Sequence, residues 1–133
     1  MTTTFPTQSR SAKILVVDDE SLVRTMMCDG LEAMGYTAVA APSGEEALRL
    51  VKTERPACIL LDIMMPDLDG YETCAALKAE STTASIPVLL VSATTDARVA
   101  GQAKQVGAAA VLRKPVSMEE LRRAVALAVR PPL

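Results

Sequence analysis

Five short apolar runs constrain this chain more than any other feature. They are Ile14 to Val17, Thr37 to Ala41, Ala57 to Leu61, Val88 to Val91 and the weaker Ala108 to Leu112. None alternates cleanly between polar and apolar, so a strand made from such a run is buried on both faces, as in a parallel sheet. The stretches between them carry apolar residues three or four apart. Val23, Met27, Leu31 and Met34 form one such series, and Leu121, Val125 and Ala128 form the last. That period belongs to helices with one buried face. Ser43 with Glu46, Asp69 with Glu72, and Ser117 with Glu120 have the spacing of capping boxes, and Gly35 and Gly107 fall where helices should stop. Five alternating strand–helix units predict an α/β domain: a doubly wound, five-stranded parallel sheet with five helices on its two faces.

The 133 residues fit one domain. We expect residues 1–12 to be a disordered lead-in, 13–130 the folded domain and 131–133 a short tail. The first thirteen residues, MTTTFPTQSRSAK, lack the apolar stretch of a secretory signal, and no run reaches the length of a membrane span. Cys28, Cys58 and Cys74 are odd in number and lack CxxC spacing, which argues against disulfides or a zinc site and for a reducing, cytoplasmic setting. A net charge of −2 and only three aromatic residues argue against direct nucleic-acid binding. Histidine is absent, so no catalytic triad can form and no phosphohistidine can arise on this chain.

Parallel sheets place their working residues beyond the carboxyl ends of the strands. Asp18 and Asp19, followed by Glu20, end the first strand; Asp62 ends the third, Ser92 the fourth, and Lys114 and Pro115 follow the fifth. With strand order 2-1-3-4-5, strands one and three are neighbours and the three aspartates converge. Two carboxylates about 4 Å apart repel by roughly 4 kcal/mol at an effective dielectric near 20. Such a cluster calls for a cation, and hard oxygen ligands in a wet site favour Mg²⁺. Lys114 adds fixed positive charge and Ser92 a hydroxyl donor, making a cradle for a phosphoryl dianion in which Asp62 is the nucleophile. Plainer roles stay open. Asp18 and Asp19 suit a helix cap, and Asp67 and Asp69 suit a turn and the next cap. Ser92 and Lys114 can be ordinary strand-end groups. Gly70 fits a helix start, the methionines of the first helix fit the core, and Met64, Met65 and Leu68 fit either core or an exposed docking surface.

The motifs "ILVVDDE", "LLDIMMPDLDG", "VLLVSA" and "VLRKP" together resemble, in order, those of the response-regulator receiver domain over about residues 12 to 130. The resemblance implies a flavodoxin-like receiver fold. It implies Asp62 as phosphoacceptor, Asp18, Asp19, Asp62 and the Met64 backbone carbonyl as Mg²⁺ ligands, and Ser92 and Lys114 as partners of the phosphoryl group. It also implies a cis bond before Pro115. One departure stands out: where the family usually has Tyr or Phe three residues before the lysine, this chain has Val111, so the usual coupling of hydroxyl and aromatic ring is altered.

On this resemblance the chain is a signalling switch rather than a turnover enzyme. A sensor histidine kinase or a histidine phosphotransfer protein donates to Asp62, and the output is protein contact through the face of helix four, strand five and helix five. Two alternatives are a scaffold that is never phosphorylated and a Mg²⁺-dependent phosphatase of the haloacid dehalogenase type. The latter needs an acid two residues after its nucleophile, where this chain has Met64, and its acidic pair follows the nucleophile rather than preceding it. Met1 and the lead-in favour a stand-alone protein over a piece of a longer one. Met64 and Thr94 flank the site and are placed to tune the access of water.

Overall fold

A computed structural model describes residues 12–129. The elements, in chain order, are β1 (Lys13–Val17), α1 (Ser21–Ala33), β2 (Thr37–Ala41), α2 (Gly44–Glu54), β3 (Cys58–Asp62), α3 (Gly70–Ala79), β4 (Val88–Ser92), α4 (Ala97–Gln105), β5 (Ala110–Arg113) and α5 (Met118–Ala128). The strands form one parallel sheet in the order β2-β1-β3-β4-β5. The N-terminal segment and the tail lie outside the described residues, apart from Ala12 at the edge of the former.

Burial follows position in the sheet. Every residue of β3 and β4 is buried, as are the last four of β1, because these strands have neighbours on both sides and helices on both faces. The edge strands β2 and β5 are only partly covered. Two cores result. Ile14, Val16, Leu60, Leu89 and Val91 meet Leu31 of α1 and Leu121 and Val125 of α5 on one face. Leu15, Val17, Ile59, Leu61 and Leu90 meet Ala47 and Val51 of α2, Leu77 of α3 and Ala103 of α4 on the other.

Local chemistry sets the ends. Asp69 with Glu72 and Ser117 with Glu120 form reciprocal capping boxes on α3 and α5. At α2 the bond is one-way: Ser43 accepts from the Glu46 N–H, but the Glu46 carboxylate turns to Arg49 instead. Gly35 and Gly107 take φ of 100° and 83°, the left-handed conformation that ends α1 and α4. The fifth strand begins two residues later than its apolar run predicts. Ala108 is still tied back to Ala103, its N–H donating to that carbonyl at 2.9 Å; the Ala109 N–H reaches the Val88 carbonyl at 2.8 Å, and paired strand begins at Ala110. The third and fourth strands end on Asp62 and Ser92, as the sequence predicts.

Candidate functional site

Strand ends carry the candidate residues to one edge of the sheet. Val17 of β1 pairs with Leu61 of β3, so the next residue on each strand, Asp18 and Asp62, stand at the same level on neighbouring strands. Asp18 is held by its backbone: its N–H donates to Ala41 at 3.2 Å and its carbonyl accepts from Arg24 Nη1 at 2.6 Å. Its Oδ1 accepts from the Glu20 N–H at 2.9 Å. Glu20 occupies the position before α1, which has no side-chain cap, so neither Asp18 nor Asp19 caps that helix. Carboxylate oxygens of Asp18, Asp19 and Asp62 all lie within 4.8 Å of one another. Asp18 is 2% exposed and Asp62 4%, whereas Asp19 opens to solvent.

Lys114 enters this cluster from the end of β5. Its backbone N–H donates to the Ser92 carbonyl at 2.8 Å, which aims the side chain across the strand ends. Its ammonium lies 3.1 Å from Asp62 Oδ1, 3.3 Å from Asp18 Oδ2 and 3.9 Å from Glu20 Oε1. The Lys114–Pro115 peptide is cis. Burial pulls the Lys114 ammonium down, but Asp62 and Asp18 outweigh it and its pKa ends raised. For Asp62 the balance goes the other way. Burial, and then the Asp18 carboxylate, pushes it up to about 6, and Lys114 offsets only part of that rise. All three carboxylates offer oxygen, and one faces water, a donor set that suits a hard divalent cation keeping some of its own waters.

Ser92 is buried and its Oγ accepts from the Thr94 N–H at 3.2 Å; it makes no hydrogen bond to the carboxylates. Val111 pairs with Leu90 and packs, half-buried, against the core under α2, α3 and α4. Asp67 adopts φ of 67° in the loop after β3 and Asp69 caps α3, so both serve the turn and neither joins the cluster. The methionines divide differently from expectation. Met65 is core at 8% exposure while Met64 stands out at 75%, so they form no common surface. On α1, Met27 is core but Met26 is 59% exposed, because it lies about 100° around the helix from Met27.

Two residues that the sequence names only in passing do more than it suggests. Glu20 follows the acidic pair and reaches Lys114, a hint present in the run Asp18-Asp19-Glu20 itself. Gly70 starts α3 with its N–H on the Ile63 carbonyl at 2.9 Å. A Cβ there would lie 2.7 Å from Ile63 Cα and closer still to the Asp62 carbonyl oxygen. Only glycine lets α3 press against the strand end that carries Asp62.

A family model described as the response regulator receiver domain matches residues 14–126. The chain belongs to that family. Among curated relatives, response regulator MprA of Mycobacterium ulcerans is 42% identical over 113 residues, covering 84% of this chain and 47% of the relative. The alkaline phosphatase synthesis transcriptional regulatory protein PhoP of Bacillus subtilis is 37% identical over 118 residues, covering 89% and 48%. This receiver thus spans about half the length of these relatives. Among solved structures, the Vibrio cholerae chemotaxis protein CheY4 superposes with a TM-score of 0.85 at 31% identity, covering 89% of this chain and 98% of that one. The receiver domain of a signal transduction histidine kinase from Syntrophus aciditrophicus gives 0.83 at 29%, covering 92% and 96%. The family is that of phosphorylation-dependent signalling in two-component systems, and the receiver's cluster of aspartates is of the kind at which such domains hold Mg²⁺. No helix among the described residues is long and apolar enough to cross a membrane.

Proposed function

We propose that this protein is a phosphorylation-operated switch in which Asp62 is the phosphoacceptor, and that residues 13–130 are its receiver unit. The observation that carries this reading is a buried carboxylate held 3.1 Å from one ammonium and beside two further carboxylates at the switch point of a parallel sheet. A carboxylate oxygen of Asp62 attacks the donor phosphorus. The donor's phosphorus–nitrogen bond breaks, its electrons return to the imidazole, and a mixed anhydride remains on Asp62. Asp18, Asp19, Asp62 and the Met64 carbonyl would hold Mg²⁺, which supplies charge neutralisation for the phosphoryl oxygens. Lys114 exchanges a carboxylate partner for a phosphoryl oxygen. The Ser92 hydroxyl only accepts at present, so its proton is free to donate to another.

The donor is a phosphohistidine outside these 133 residues, on a sensor kinase or phosphotransfer protein of the cytoplasm, since they contain no histidine. The output is protein contact through α4, β5 and α5, reached by movement of the Ala93–Asp96 loop after β4. The signal is the modified state itself rather than a released product. Val111 keeps a second reading in view: with no ring to swing at that position, a scaffold that is never phosphorylated is the other use of this fold. Incubation with Mg²⁺ and acetyl phosphate separates the two by intact mass. One added phosphoryl group, lost in Asp62→Asn and in chelator, supports the switch; no adduct leaves the scaffold.

A further inference from the structure

Among the described residues, the large apolar side chains left exposed are Leu22 (71%), Met26 (59%), Met64 (75%), Met118 (44%) and Leu127 (68%). Four of these five belong to the segments that leave the strand ends around Asp62; only Leu127 sits elsewhere, near the far end of α5. Between α1 and the start of α5 runs a groove of about 420 Å³ walled by Val23, Met26, Met27, Pro115, Val116 and Met118, with Lys114 as its polar member. The ammonium of Lys114 pairs with Asp62, so the groove lies beside the carboxylate cluster, with this one residue shared between them. A protein that brings phosphorus to Asp62 must approach beside this groove, and an apolar helix face is the kind of surface the groove could bury.

The walls of the groove are chemically unusual in one respect. Three of them are methionines, and two of those, Met26 and Met118, are open to solvent. Met118 has a built seat. A Cβ at Gly30 of α1 would lie 2.5 Å from Met118 Sδ and 3.3 Å from its Cε, so the thioether rests against bare helix backbone. Such side chains adapt to varied partners, and they share one liability: a thioether oxidises to a polar sulfoxide.

We infer that Met26 and Met118 form a peroxide-sensitive gate on the donor groove, so that their oxidation blocks phosphoryl transfer from a protein donor while Asp62 itself stays competent. This rests on the phosphoacceptor reading above. The sulfur lone pair attacks one oxygen of hydrogen peroxide, the O–O bond breaks, the S–O bond forms, and the second oxygen leaves as water. Sulfur loses two electrons and peroxide gains them. The new sulfoxide dipoles stand in a wall that offers no polar side chain but Lys114, and an apolar helix face cannot satisfy them.

The test takes the native chain through dilute hydrogen peroxide and maps sulfoxides by peptide mass, with buried Met27 and Met65 as internal controls at 7% and 8% exposure. Phosphorylation is then timed with two donors: acetyl phosphate, and the autophosphorylated histidine kinases of the source organism tested one by one. We expect Met26 and Met118 to oxidise ahead of Met27 and Met65. The rate from the best kinase should fall on the order of tenfold, as for losing one buried side chain, while the acetyl phosphate rate holds. In M26L/M118L, whatever its starting rate, peroxide should leave kinase transfer where it was. Sulfoxides without a fall, or an equal fall in the double variant, would overturn the gate. Acetyl phosphate labelling with no transfer from any kinase overturns it too. No labelling of untreated protein by acetyl phosphate would instead sink the phosphoacceptor reading beneath it.

Discussion

The nucleophile role proposed for Asp62 requires its charge, and its burial beside Asp18 works against that charge. Its folded pKa of about 6 stands above the ordinary 3.8, so the folded state holds the proton more tightly than the unfolded chain does. The sign follows: without metal, stability is greatest at low pH, falls as pH rises between about 4 and 6, and is flat above that as far as this group is concerned. Thermal melts in chelator across that range should show the fall in the native protein and lose it in Asp62→Asn. Gly70→Ala should destabilise the fold by about 1–3 kcal/mol through overpacking against the end of β3, and slow phosphorylation of Asp62 as well. Denaturant unfolding and acetyl phosphate labelling check the two effects. Asp18, Asp62 and Lys114 were legible in the sequence because each interrupts or follows an apolar run where a parallel sheet exposes its strand ends. For Gly70 only the helix start was legible, since its close approach depends on how the loop after β3 folds back onto Ile63. Met26 was misplaced for another reason. Helical period puts Met27 inside, but a neighbour a quarter-turn away is placed only once the groove beside it is seen.

Among the helices, α4 is the least anchored. Only Ala103 is buried, and Gly101 faces open space with nothing within 4 Å of a would-be Cβ. Gly101→Ala should therefore stabilise this helix by roughly 0.5–1 kcal/mol, since it removes backbone freedom without a clash. Slower amide exchange across 97–105, with little change in β1 or β3, is the expected readout. A helix so lightly held is a reasonable element for the loop after β4 to displace. Element ends were legible wherever capping chemistry wrote them, as at α3 and α5. They were less so at β5, where Ala108 and Ala109 extend an apolar run but the Gly107 turn still holds Ala108 back against α4. The cap at α2 lost its second half to a competitor the spacing cannot reveal, Arg49 one turn along.

Over the whole molecule, the two cores hold the sheet from both faces while its carboxyl edge gathers the unfavourable charge. A cation at that edge binds the folded chain alone, so Mg²⁺ at a hundred times its dissociation constant should raise stability by about 2.7 kcal/mol. A rise in melting temperature that disappears in Asp18→Asn is the expected result. The strand order was legible because five continuous apolar runs separated by helices leave a parallel sheet few alternatives. The sequence placed Lys114 near the cluster as fixed positive charge; what it could not show is that the ammonium pairs with both Asp18 and Asp62. Lys114 already sits between Asp18 and Asp62, so a metal enters a cluster whose negative charge is partly offset. The affinity for Mg²⁺ should therefore depend on how much of the carboxylate charge Lys114 has already offset. A chain with methionine in place of Lys114 should bind the ion more tightly than the native protein while holding a phosphoryl group less well, and titration calorimetry beside the labelling assay would see the two properties part company.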